Sequence, residues 1–262
     1  MPVKEINLLY HVHHSQHSED LPFWEELAGQ HPGPILELGC GTGRVALCLA
    51  SQGFQVYGLD RDGDMLTALQ ANLTPQVRPK VGIFQADMTC FHLEQHFGLI
   101  LLPCNTYSTL LEGERCSTLA CVRRHLRRDG VFAASLPNPS ILRSLPRSTE
   151  PEVEEVFPHP VDGEPVQVSS NWQRSYKHVS MYWHYDHLLP DGRVERQTLH
   201  SRHALLPAQA YLDEMHRQGF TLLETYGDFD RSPYSSESPY LIILASQKTS
   251  PFFFWKKGDG QE

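Results

Sequence analysis

Apolar positions along this chain follow two rhythms. Between residues 35 and 136 they gather in short runs separated by helical stripes. Ile35, Leu36 and Leu38 form the first run, with Glu37 inside it. Residues 54–59, 81–85, 97–102 and 131–136 form four more, the second ending at Asp60 and the third leading to Asp87. Residues 44–51, 62–72 and 113–128 carry helical spacing; Val45, Ala46, Leu49 and Ala50 make the apolar face of the first. Such alternation predicts βαβ units and a parallel sheet covered on both faces. Asp20 is placed to N-cap a further helix through Ala28, with Pro22 in its first turn.

The rhythm changes after residue 136. Residues 137–165 hold seven prolines and read as a linker or irregular cap. From 166 to 206 the chain alternates in steps of two. Met181, Trp183, Tyr185, His187 and Leu189 lie on one side; Tyr182, His184, Asp186 and Leu188 lie on the other. With a turn at Pro190-Asp191-Gly192 this predicts an antiparallel meander. Residues 207–218 read as a helix, and 220–226 and 240–246 as two last strands that rejoin the main sheet.

At 262 residues, 40 % apolar and 20 % charged, the chain can build a sizeable core as one domain with an insertion. Its net charge of −9 argues against tracking nucleic acid, which needs a basic face. The densest basic stretch, Arg123, Arg124, Arg127 and Arg128, reads as a solvated helix end whose cations suit the dipole. Six cysteines form no CxxC pair, which suits reduced thiols. The polar start of the chain is no signal peptide, and no apolar run is long enough to span a bilayer. A cytoplasmic protein, monomeric or homodimeric, with no membrane or nucleic-acid partner is expected. His11, His13, His14 and His17 invite a metal reading, but no cysteine stands near them, and a solvated or substrate-facing lid is the expectation, with no metal.

The chemistry gathers at Glu37-Leu38-Gly39-Cys40-Gly41-Thr42-Gly43. Glycines let a backbone turn sharply and approach a ligand, and the helix that follows points free N–H groups at it. Asp60 lies 21 residues after Gly39, where an acid at the end of the second strand meets ribose hydroxyls. NAD would suit a glycine turn as well. Three details oppose it: the spacing is GxGxG, with Arg44 in the sixth position; Glu37 favours a cationic ligand over a pyrophosphate; and a second acid, Asp87, follows the third strand.

The ordered segments ILELGCGTGR, VYGLDRDGDML, QADM and FGLILLPCNTYSTLL resemble the successive motifs of class I S-adenosylmethionine-dependent methyltransferases. The resemblance covers roughly residues 33–136 and continues weakly to 247. It implies a Rossmann-like α/β fold: a seven-stranded, mostly parallel sheet with a small antiparallel β insertion forming a lid. The parts would be N-terminal lid helices (1–30), a cofactor domain (31–147 and 206–248), an inserted substrate lid (148–205) and a tail (249–262). S-adenosyl-L-methionine would be the cofactor and S-adenosyl-L-homocysteine the product. The Gly39–Gly43 turn, including Cys40 and Gly41 and preceded by Glu37, would hold the methionine portion. Asp60, with Arg61 and Met65 beyond it, would hold the ribose side. Asp87 and Met88 would hold the adenine. Leu102, Pro103 and Asn105 would lie near the sulfonium.

No (N/D)PP(Y/F) motif follows the fourth strand, where Leu102-Pro103-Cys104-Asn105 stands. The N-terminal Tyr10 and the β insertion resemble small-molecule N-methyltransferases of the glycine and sugar-amine type, in which a tyrosine closes over the cofactor. Some sugar-amine enzymes carry a histidine after the fourth strand; Thr109 is nearest here. Tyr10 and Asn105 are positioning candidates; His13, His14, His187 and Tyr107 are candidate bases. Trp172, Tyr176, Tyr182, Trp183, Tyr185 and His187 could line an aromatic acceptor pocket, although most suit packing of a half-buried sheet. The expected reaction moves a methyl group to nitrogen or oxygen of a small molecule. A macromolecular acceptor (tRNA or protein) and a non-catalytic cofactor-binding module are the competing readings.

Overall fold

The computed structural model describes residues 4–247. Helices α1 (Glu5–Ser15) and α2 (Leu21–Gln30) precede a run of strands and helices: β1 (Ile35–Leu38), α3 (Arg44–Ser51), β2 (Val56–Asp60), α4 (Gly63–Ala71), β3 (Val81–Gln85), β4 (Phe97–Leu102), α5 (Glu112–His125) and β5 (Leu126–Pro137). A second group follows: α6 (Pro139–Ser144), β6 (Glu152–Pro158), β7 (Pro165–Arg174), β8 (His178–Leu188), β9 (Val194–Ala204), α7 (Ala208–Arg217), β10 (Phe220–Tyr226) and β11 (Tyr240–Gln247).

The large sheet has the order β10-β11-β5-β4-β1-β2-β3. The pairs among β1 to β5 are parallel, and β11 runs antiparallel between β5 and β10. The apolar run of β4 explains its central place. Leu99 and Leu101 point into one core, with Trp24, Leu27, Val45 and Leu49 from α2 and α3. Ile100 and Leu102 point into the other, with Leu119 and Val122 of α5 and Tyr211 and Met215 of α7. A strand buried on both faces has no polar side to show, and each fully buried leucine or isoleucine contributes about 1.5–3 kcal/mol.

The small sheet, β6-β7-β8-β9, is wholly antiparallel. α1 lies on it: Leu9 packs with Phe157, Val166, Val168 and Tyr185, and Ile6 and Trp183 border the cluster. Ile6, Leu9 and His13 recur at helical spacing, so one face of α1 is committed to this contact.

Four local expectations are corrected. The proline-rich stretch is no mere linker: it holds α6 and β6, whose prolines sit at the first turn of the helix and at a strand end, where no ladder donor is lost. α5 ends at His125, and Arg127 and Arg128 belong to β5. β2 begins at Val56, two residues later than the apolar run. Asp20 does not cap α2; its carboxylate is taken by Arg44 and by Trp24 Nε1. The tail expected at 249–262, with its aromatic run, lies outside the described residues.

Candidate functional site

β1 stops at Leu38 because the next residues turn back sharply. Gly39, Gly41 and Gly43 have φ of 66°, 53° and 89°, a region costly for residues with a Cβ. The amides of Gly39 and Cys40 donate to Leu59 O at 2.7 and 3.1 Å. Asp60, at the end of the neighbouring strand, accepts from Gly41 N through Oδ2 at 2.8 Å and from Asp62 N through Oδ1 at 2.9 Å. Its carboxylate therefore braces the glycine turn against the β2–α4 turn. The glycines differ in purpose. A Cβ on Gly41 would meet nothing within 4 Å, because that position faces open space. A Cβ on Gly43 would lie 2.8 Å from Leu69 Cγ, because there the turn is pressed on α4.

A cleft of about 490 Å³ opens over this turn, a size that suits a small ligand. Of the sequence-derived residues, Tyr10, Gly39, Gly41 and Asp60 line it, as do Arg61, Met65, Asp87 and Met88. Asp87 accepts from Thr89 N at 2.8 Å, and those Thr89 hydrogen bonds hold its carboxyl below the usual range. Further lining comes from Thr106, Thr109, Leu110 and Leu111, and from Glu114, which caps α5 through Leu111 N at 2.7 Å. Of these, sequence reasoning singled out only Thr109, as the position nearest a family histidine; the others follow β4 with no distinctive pattern.

Other sequence-derived residues are turned elsewhere. Cys40 is buried with Leu66 and Leu69 beneath the turn, and Gly43 serves the same contact. Leu102 is wholly buried in the core and Pro103 is buried beside it. Glu37 lies behind the turn, 2 % exposed, with Oε2 unpartnered. Burial pushes its carboxyl up to about 8, against the opposing pull of Arg44. Cys104 and Asn105 are successive non-glycine residues at φ 57° and 63°, a strained pair of the kind that gathers at functional sites. Asn105 presents a buried, unpartnered Oδ1.

A polar brace that the sequence did not reveal stands behind these groups. Arg44 grips Asp20 with two nitrogens at 2.6 and 2.7 Å and places Nη2 3.2 Å from Cys104 Sγ. In the sequence, Arg44 was visible only as the residue that spoils a dinucleotide motif. Tyr10 comes from α1 and roofs the cleft; burial raises its hydroxyl well above the ordinary tyrosine range.

The candidate bases do not reach the cleft. Tyr107 is fully buried and donates to Glu214 Oε1 at 2.9 Å, within a buried ion pair between Glu214 and Arg115. His14 stacks on Tyr10 at 3.9 Å, its Nδ1 3.1 Å from Tyr10 O, and burial lowers it to about 3. It supports the roof as a neutral ring. His13 is buried with Nδ1 2.9 Å from Tyr185 Oη, so it ties α1 to β8. His187 lies in a separate cluster with His159. The aromatic acceptor wall is likewise absent from the cleft lining. Tyr185 is core, Trp183 borders the α1 contact, Trp172 Nε1 bonds Pro146 O, and Tyr182 stacks on His200. Tyr176, 86 % exposed, borders a second cleft of about 450 Å³ with Arg143 and Arg174, which has neither glycine turn nor strand-end acid.

The cleft's donor set fits S-adenosylmethionine. Two strand-end carboxylates face it at the second and third strands, and Gly41 leaves room for close approach; behind that lining, the unpartnered oxygens of Glu37 and Asn105 suit N–H donors and positive charge.

Residues 35–130 match the family model described as a methyltransferase domain. The chain is 27 % identical over 223 residues to "Putative methyltransferase GWCH70_2453" of Geobacillus sp. (strain WCH70), covering 82 % of this chain and 84 % of that one. It is also similar in structure to an S-adenosylmethionine-dependent methyltransferase from Clostridium acetobutylicum, with TM-score 0.76, 15 % identity and coverage of 93 % and 99 %. The sugar N-methyltransferase KedS8 from Streptoalloteichus sp. gives TM-score 0.68, 20 % identity and coverage of 88 % and 87 %. The two solved structures establish the fold.

Proposed function

We propose that this chain, which carries a class I S-adenosylmethionine-dependent methyltransferase domain, moves the methyl group to a nitrogen or oxygen of a small-molecule acceptor. The carrying observation is the cleft beneath Tyr10, where two strand-end acids and the glycine turn sit beside the strained Cys104-Asn105 pair. Bound cofactor supplies an activated methyl on a sulfonium.

The chain's own residues would hold and align. Asp60 would take the ribose hydroxyls, Asp87 the adenine amine, and Glu37 the amino group, each by a carboxylate lone pair. Asn105 would direct its free Oδ1 toward the acceptor's N–H or the positive centre. Tyr10 would close the roof and exclude water. These residues would hold an acceptor lone pair in line with the methyl group that bound cofactor would supply, and the acceptor's proton would pass to solvent. Among the described residues no histidine lines the cleft, so alignment and desolvation carry the rate.

Sugar-amine acceptors are the first class to try, given the likeness to KedS8. A macromolecular acceptor gains nothing from the basic stretch. Arg123 bonds Gln218 O, Arg124 bonds Cys121 Sγ and Arg127 bonds Pro32 O, so these cations serve their own fold. The six cysteines are all free thiols, in keeping with a reducing cytoplasm. Among the described residues no helix is long and apolar enough to cross a membrane.

The test is thermal unfolding with S-adenosylmethionine, S-adenosylhomocysteine or NAD, followed by turnover on amino sugars, small amines and bulk tRNA. Stabilisation by the two adenosyl ligands and methylation of a small amine are expected. Stabilisation by NAD alone would overturn the cofactor, and turnover confined to tRNA would overturn the acceptor class.

A further inference from the structure

Glu5, His159 and His187 come together from three distant parts of the chain: the first turn of α1, the β6–β7 turn and β8. Their ligand atoms all lie within 4.8 Å of one another. Glu5 Oε1 is 3.3 Å from His159 Nε2 and 3.9 Å from His187 Nδ1. Both histidine side chains are 5 % exposed, and both of these nitrogens are buried without a hydrogen-bond partner. Two unsatisfied ring nitrogens directed at one carboxylate are costly unless something sits between them.

The outer nitrogens are occupied. His159 Nδ1 lies 3.0 Å from Asp162 Oδ1, and His187 Nε2 lies 3.2 Å from the same carboxylate. If the outer nitrogens donate to Asp162, the inner ones carry lone pairs. A carboxylate behind a ligating histidine is the usual way to fix that tautomer and raise its basicity. Asp162 does this for two rings at once. It is itself held by the β6–β7 turn, where its Oδ1 accepts from Glu164 N at 3.1 Å.

We propose that Glu5, His159 and His187 bind one divalent transition-metal ion, of the zinc class, with water in the fourth position. Two imidazoles and one carboxylate are a borderline donor set that suits zinc over calcium or magnesium. In a tetrahedral site, ligands about 2.0–2.1 Å from the ion lie about 3.4 Å apart, close to the separations from Glu5. The two rings stack at 4.0 Å with 17° between their planes, so each must swing about its Cβ–Cγ bond to bring its lone pair onto the ion. The charges balance: one dication faces Glu5 and Asp162.

None of the four residues lines the cleft, so the ion has no part in methyl transfer. Its place is structural. Glu5 opens the helix that carries Tyr10, and the two histidines belong to the small sheet. The ion would pin the start of α1 to that sheet and fix the roof of the cleft. The site stands independently of the acceptor and of the cofactor.

The test uses the full chain, free of any affinity tag, stripped with chelator and then titrated with zinc chloride. Calorimetry and metal analysis should find one tight site per chain. Glu5→Gln, at a partly exposed position that should not disturb folding, and His187→Gln should abolish it. Asp162→Asn should weaken it 10- to 100-fold. Cobalt at the same site should show no thiolate charge-transfer band, which separates it from the six cysteines. Zinc should slow amide exchange at the start of α1 in the wild type and not in Glu5→Gln. Absence of a stoichiometric site, or a site whose affinity is unchanged in Glu5→Gln and His187→Gln, would overturn the proposal.

Discussion

The carboxyl edge of the large sheet and the contact between α1 and the small sheet both bury polar groups, and apart from Asn7, Glu155 and the Glu5, His159 and His187 cluster they leave them in different states. At the edge, Glu37 and Asn105 each keep an unpartnered oxygen, and the Gly41 position faces open space. In the lid, His13 meets Tyr185, Asp186 meets Arg196, and His203 meets both Ser108 and Ser201 at 2.8 Å. A satisfied polar group locks two elements together. An unsatisfied one is costly without a partner. Outside that cluster, the edge keeps free oxygens, whereas α1 is fastened to the small sheet.

Asp60→Ala is the strongest test of that division. Loss of the ribose contact and of the brace on Gly41 should reduce cofactor affinity by at least 100-fold. The stabilisation of about 2.7 kcal/mol that a ligand gives at a hundred times its dissociation constant should then fall to about 0.4 kcal/mol or less in thermal unfolding. Retained stabilisation would mean that Asp60 only supports the turn.

Two glycine variants sharpen the contrast within the edge itself. Gly43→Ala combines φ of 89° with a clash on Leu69 and should destabilise the protein by about 2–4 kcal/mol in denaturant unfolding. Gly41→Ala, with room around it, should cost about 1–2 kcal/mol and act chiefly on cofactor binding. Equal losses of stability would erase the distinction between a packed and a ligand-facing glycine.

The lid gives a pH signature. Burial lowers His203 to about 4, so it stays neutral in the folded protein. The unfolded chain takes up its proton below about 6.5 and the native state does not. The stability is therefore present above pH 6.5 and is lost as pH falls toward 4. The slope of unfolding free energy against pH should flatten in His203→Gln. An unchanged slope would assign the acid sensitivity elsewhere, with His14, lowered to about 3, the next position to replace.

The edge gives the opposite sign. Glu37, raised to about 8, holds its proton in the free protein at pH 7. A bound ammonium or sulfonium favours the carboxylate, so cofactor binding at pH 7 should release close to one proton. Calorimetry in buffers of different ionisation enthalpy measures it, and Glu37→Gln should abolish the release. The smallest effect is expected for Tyr107→Phe, which loses one buried hydrogen bond to Glu214, worth about 1 kcal/mol, and leaves kcat unchanged. A large fall in kcat would return Tyr107 to the site.

The sequence carried the edge further than the lid. Glycine spacing, strand-end acids and unbroken apolar runs are local signals, set by backbone sterics and by the period of each element. They place Gly39, Gly41, Asp60 and Asp87 at one sheet edge. Side-chain direction was less legible. Tyr107, Cys40 and Leu102 stand beside cleft residues in sequence, yet they face the core. The lid's alternation announced an antiparallel sheet, but not which face would be buried or by what.

What the sequence determined by itself is the α/β class, the order of the strands that carry the glycine turn, and the chemistry of that turn. Tertiary structure alone decided that Arg44 grips Asp20 and that Glu5 meets His159 and His187. The physical reason is separation along the chain. Local propensities and periods act within a dozen residues, whereas these meetings join positions 24 to 182 residues apart on faces whose orientation only packing fixes.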